Sequence, residues 1–275
     1  MPDPINADSA LRTLIPGKYY FSFDNDTLRG VAWKCKRHGN RNPPVDDAED
    51  EAFTFPDAEF NFTTISNFGQ YKDDAGNEWA YLTLSTSNLN EYPQTGRFYC
   101  GYLGVAVFKK ADKNWQLRYF NPNIDCMGQF YRAPTPRIVK LGANNFGFYL
   151  DNPTGSWMAP NFDTHLCAFV DDKWKTILSV ENSQYDAGGR YDTTLFWRST
   201  LNVPLINSDM TFNDVELTTI GTITSPKGLD TTDINFSNFP TSLVTTLLSS
   251  QSPSINFKFK TVYHFQNGKY DMVKQ

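Results

Sequence analysis

The sequence predicts an all-β protein, an irregular β-propeller-like assembly of repeated hairpins, with a large twisted β-sandwich as the alternative. Three observations predict it. A short module recurs: Val105–Phe108, a Lys-rich turn and Trp115–Leu117, then Leu166–Val170, Asp171–Lys173 and Trp174–Leu178, then Thr261–Phe265, a turn through Gly268 and Tyr270–Val273. Each copy is an apolar strand, a polar turn and an aromatic that opens the return strand, which is a hairpin signature. No segment keeps a helical period over about a dozen residues, whereas Thr193–Leu201 and Asp214–Thr222 alternate with the period of a strand. Aromatics make up 15% of the chain, chiefly Phe and Tyr, which suit half-buried pleated surfaces.

In chain order, Asn6–Leu14 is read as one or two helical turns with Asp8 or Ser9 as N-cap. Lys18–Phe23 and Leu28–Lys36 read as strands. A polar excursion follows, basic at Arg37 and His38 and acidic at Asp46, Asp47, Glu49, Asp50 and Glu51. A looser copy of the module spans 70–86, with Asp73–Glu78 as its turn and Trp79 opening the return. Arg137–Gly142 and Phe146–Leu150 form another hairpin about Ala143-Asn144-Asn145. Residues 151–164 are rich in Asn, Pro, Gly and Ser, with Trp157 in a loop over Asn152–Asn161, and Glu181–Asp192 reads as a second polar loop in which Tyr185 and Tyr191 flank Gly188-Gly189. Thr241–Leu248 reads equally as a short helix or an apolar strand. The 275 residues are assigned to one all-β domain, 1–275, with a possible subdivision near 87–100. The copies are too unevenly spaced for a solenoid.

Four cysteines, Cys35, Cys100, Cys126 and Cys167, permit two disulfides or four buried thiols. Cys100 and Cys126 are the preferred pair because they flank one hairpin and would staple its ends. Net charge is −5, without the basic stripe that nucleic-acid binding requires. No apolar run reaches the roughly 20 residues of a membrane span. Met1-Pro2-Asp3-Pro4 reads as an initiator before a mature sequence whose targeting segment has been trimmed.

Ile138–Gly142, Trp174 after Asp171-Asp172-Lys173, Phe212–Leu217 with Gly221-Thr222, and Gly268-Lys269-Tyr270 together resemble exported bacterial β proteins with propeller-like repeats of the FG-GAP or VCBS-like kind. The likeness covers roughly residues 100–275. It implies export to the periplasm or cell surface and a binding role, and it carries over no catalytic residue. The chain departs from the calcium-binding members in lacking an Asp-x-Asp-x-Asp-Gly loop, so no cofactor is expected. Calcium at the 46–51 acidic run is the lesser reading.

The residues suggest little chemistry of their own. His165 and His264 fall on strands and read as satisfied sheet residues, and His38 as an exposed loop residue. Cys167 lies two residues from His165, on one face of a strand, and reads as a buried thiol rather than a nucleophile. No nucleophile elbow, phosphate loop or zinc motif occurs, so no catalytic residue and no metal ligand is predicted. The expected function is that of a non-enzymatic exported binding protein of inhibitor or toxin-immunity type. Its partner would be a protein, such as a basic toxin or enzyme, met by Asp46, Asp47, Glu49, Asp50 and Glu51 and by Trp157, Tyr185 and Tyr191. The alternatives are a glycan-binding or glycan-cleaving protein that uses the loop aromatics, and a structural surface protein.

Overall fold

The computed structural model describes residues 1–15, 17–21, 29–34, 60–88, 100–130, 132–154, 161–186, 194–204, 210–224 and 239–273. Its strands form two antiparallel meanders, each laid down in chain order. The six-stranded sheet runs β1 (Lys18–Phe21), β2 (Arg29–Lys34), β3 (Phe60–Lys72), β4 (Glu78–Asn88), β5 (Gly101–Ala111) and β6 (Asn114–Met127). The eight-stranded sheet runs β7 (Arg137–Lys140), β8 (Phe146–Pro153), β9 (Phe162–Val170), β10 (Lys173–Asp186), β11 (Thr194–Asn202), β12 (Val215–Thr224), β13 (Ser254–Gln266) and β14 (Lys269–Met272). Two short helices, α1 (Ala7–Leu14) and α2 (Thr241–Ser249), complete the described elements. The all-β expectation holds. The propeller expectation does not, since no propeller or closed barrel is found among the described residues. A propeller needs sheets that break into separate blades. Here the return strands β4 and β10 pair onward with β5 and β11, so the modules fuse into continuous sheets.

All four copies of the module are hairpins: β3/β4, β5/β6, β9/β10 and β13/β14. Their turns use residues that tolerate a left-handed backbone. Asp171 and Asp172 have φ of 53° and 61°, and Asn267 and Gly268 of 51° and 79°. Positive φ at both central residues matches the twist of the flanking strands. The aromatics that open the return strands, Trp115, Trp174 and Tyr270, are all buried.

The chain divides into two compact units, Met1–Arg137 with Asp172–Lys175, and Ile138–Asp171 with Thr176–Gln275. The subdivision expected near 87–100 falls largely on 89–99, outside the described residues. In the first unit, Ala80, Leu82 and Leu84 of β4 and Ala106 and Phe108 of β5 form an apolar face. Helix α1 covers it with Ala10 and Leu11, and Trp115 and Val31 close the cluster. The N-cap lies two or three residues earlier than expected: it is Asn6, not Asp8 or Ser9, and its Oδ1 accepts from the Asp8 and Ser9 amides at 2.9 and 3.2 Å. A carboxamide ahead of both residues satisfies the amides that either would have left open. Across the sheet, the segment after β6 packs on the other face, where the Ala133 amide donates to Ser85 Oγ at 3.0 Å and Asn67 Nδ2 donates to the Pro136 carbonyl at 2.7 Å. Cys100 and Cys126 are disulfide-bonded, with Cα atoms 5.5 Å apart.

In the second unit one core gathers Leu141, Leu166, Ala168, Ile177, Leu217 and Tyr263 among others. A second forms where Phe239, Leu247 of α2, Ile223, Phe257 and Trp197 meet, which settles Thr241–Ser249 as a helix. A polar chain runs across the strands in the same unit. Asp151 Oδ1 accepts from Tyr149 Oη at 2.6 Å, Asn182 Nδ2 at 2.9 Å and Thr164 Oγ1 at 3.2 Å. Asn182 Oδ1 then accepts from the Ser199 amide at 3.0 Å, and Ser199 and Thr219 hydroxyls meet at 2.7 Å.

Candidate functional site

The face of β11–β13 opposite the core is open. Strand alternation turns Trp197, Ser199 and Leu201 inward and Phe196, Arg198 and Thr200 outward. On β12 it turns Val215, Leu217 and Ile223 inward and Ile220 outward. Phe196 keeps 49% and Ile220 keeps 54% of their surface exposed, the highest values among the large hydrophobic side chains recorded as exposed. Phe196 lies opposite Thr222 and Arg198 opposite Ile220, so Phe196 and Ile220 are diagonal neighbours on one surface.

Cations frame this apolar pair. Ile220 lies opposite Arg198 on one side and Lys258 on the other, which makes a single cross-strand row Arg198–Ile220–Lys258. Neither cation forms an ion pair among the described residues. Lys260, one step along β13, is 2.9 Å from Glu216. Next to the row, Thr222 Oγ1 donates to Asn256 Oδ1 at 2.7 Å. At the far end His264 Nδ1 and Asp214 Oδ1 are 2.5 Å apart, and Lys269 and Gln266 both engage Asp271.

A second group of titratable side chains lies on β9 and β10. Burial, and then the neighbouring charge of Asp163, pushes the Glu181 carboxyl up to about 7. Burial alone raises Asp163 and brings His165 down to about 4. Glu181 Oε2 and both ring nitrogens of His165 are buried without a hydrogen-bond partner. Burial disfavours whichever form is charged, so this group favours a neutral imidazole and, as pH falls below about 7, a proton held on Glu181. Cys167, two residues further along β9, is a buried thiol outside the disulfide, and its Sγ lies 3.5 Å from Thr176 Oγ1. No cluster of three or more His, Cys, Asp or Glu that could hold a metal ion exists among the described residues.

The site residues expected from sequence fall almost entirely outside the described residues. Asp46, Asp47, Glu49, Asp50, Glu51, Trp157 and Tyr191 lie outside the described residues, as does His38. Tyr185 is described only in its backbone. It lies on β10 opposite Phe196, so the loop expected over Glu181–Asp192 is corrected for its first half, which is strand paired to β11. Polar composition hid this strand, because one side of it faces the buried Asp151–Asn182–Ser199 chain. The expectation of satisfied histidines is also corrected: His264 has a partner in Asp214, but His165 has none.

Sequence reading missed Phe196, Ile220 and their cations, although the signal was present. Both residues are apolar at the polar phase of their strands, one position out of step with the inward set. No protein family, curated protein or solved structure matches the chain, so its function is read from its own residues.

Proposed function

We propose that this chain is a non-enzymatic binding protein that holds a protein partner on the open face of β11–β13. The observation that carries this reading is the adjacent exposed pair Phe196 and Ile220 on a rigid, hydrogen-bonded sheet. Large apolar side chains side by side and open to water are the usual centre of an interface, with polar residues as its rim. The reading extends to an exported protein of inhibitor or immunity type, in the periplasm or outside the cell. The Cys100–Cys126 disulfide supports an oxidising compartment. The acidic run 46–51 would add a second contact, to basic residues of the same partner.

The test compares wild type with Phe196→Ser/Ile220→Ser. Both positions point to solvent, so the fold is expected to persist. A partner captured from the exported fraction is identified, purified and titrated against each form. Loss of two central apolar contacts should weaken it by about 2 kcal/mol or more, roughly 30-fold. Equal affinity for both forms moves the function off this face.

A further inference from the structure

The open face also carries information about the chemistry of what it binds. We infer that its occupant is an acidic protein surface that sets an apolar side chain, flanked by carboxylates, against the row Arg198–Ile220–Lys258. This deepens the binding function proposed above and rests on it.

The chain carries a net charge of −5, yet the centre of this face presents two cations with no acidic neighbour engaged to them among the described residues. They stand on either side of one exposed apolar side chain, on three successive strands whose register fixes their spacing. Lys260 differs, because Glu216 already engages it at 2.9 Å. Unpaired cations beside an apolar contact favour a partner that returns carboxylates to the same positions, and they repel one that returns lysines. Arg198 also offers a planar fork suited to a carboxylate.

Two other polyanions fit less well. Nucleic acid binding draws on many phosphate contacts, more than two cations supply. An anionic membrane calls for a cluster of basic residues and a broad apolar face, whereas here two unpaired cations frame two apolar side chains.

The experiment uses the full chain, labelled with nitrogen-15, and short peptides of alternating glutamate and leucine or alternating lysine and leucine as probes. The Glu/Leu peptide should shift amides of 196–200, 216–222 and 256–260 saturably, and the Lys/Leu peptide should not. Arg198→Glu/Lys258→Glu should weaken the Glu/Leu peptide by about tenfold or more and admit the Lys/Leu peptide. Added salt should weaken the Glu/Leu peptide and leave the effect of Phe196→Ser/Ile220→Ser in place. Equal response to both peptides overturns the acidic partner and leaves the binding function standing. No response to either overturns both. Amide shifts on this face with oligo-deoxythymidine or phosphatidylserine vesicles, but not with the Glu/Leu peptide, replace the partner with a nucleic acid or a membrane.

Discussion

At the scale of single residues, the second unit stores two opposed titrations. Between about pH 4.5 and 7 an unfolded Glu181 is ionised while the folded one keeps its proton, so stability falls as pH rises. Between about pH 4 and 6.5 an unfolded His165 takes up a proton that the folded one refuses, so stability falls as pH drops. In the overlap the two slopes oppose each other. Glu181→Gln should therefore leave stability rising with pH up to about 6.5, and His165→Phe should leave it falling towards pH 7. Each slope stays below about 1.4 kcal/mol per pH unit, and the half-exposed Glu181 gives less. Urea midpoints across this range check both, and parallel profiles for the three proteins would sink the reading. Asn61 on β3 is a simpler case. It is fully buried, and neither end of its carboxamide has a partner. Asn61→Leu keeps the branched shape of the side chain and removes two orphaned polar atoms, so it should stabilise by about 1 kcal/mol. A lower unfolding midpoint refutes this.

At the scale of elements, hairpins are stabilised by their turns and by what ties them. The disulfide joins residues 26 apart at the base of β5/β6. Cys100→Ser/Cys126→Ser should cost about 3–4 kcal/mol, read as a shifted denaturant midpoint, by releasing the unfolded chain from a closed loop. An unchanged midpoint would show that the sheet alone fixes the hairpin. The β6 edge is protected by other means: two register shifts against β5, with Pro122 and Arg118 beside them. Bulges, proline and charge on an edge discourage further strand pairing. In the eight-stranded sheet the Asp151 chain ties β8 through β12. Asp151→Ala leaves three donors without their acceptor and should cost on the order of 3 kcal/mol. Hydrogen exchange on β8–β11 reads this directly, and unaltered protection there would mean that the apolar cores carry the register without it.

At the scale of the whole molecule, charge is unevenly placed. The chain carries a net −5 although one sheet face is locally cationic, and a net negative charge opposes polyanions at long range. Full-length protein should pass through a heparin column at physiological salt. Retention that is lost in Arg198→Glu/Lys258→Glu would show the local face overriding the global charge. No helix among the described residues is long and apolar enough to cross a membrane.

Local physics made much of this fold legible in the sequence. Asp-Asp and Asn-Gly turns, with an aromatic to open each return strand, marked the hairpins. Cysteines at the two ends of one hairpin marked the disulfide. These signals are short-range, because a turn needs only its own residues to accept a left-handed backbone. Long-range pairing was not legible. Whether hairpins separate into blades or join into meanders depends on which strand edges meet, and no residue in a hairpin encodes its next neighbour. The same holds for the candidate site. Phe196, Arg198, Ile220 and Lys258 are up to 62 positions apart in the chain and become neighbours only through the registers of β11, β12 and β13. The sequence by itself determined that the chain is built of β-hairpins with buried aromatic anchors. Only the tertiary structure decided that these strands leave Phe196 and Ile220 open to water with a cation on either side of Ile220, because exposure is a property of packing between distant segments.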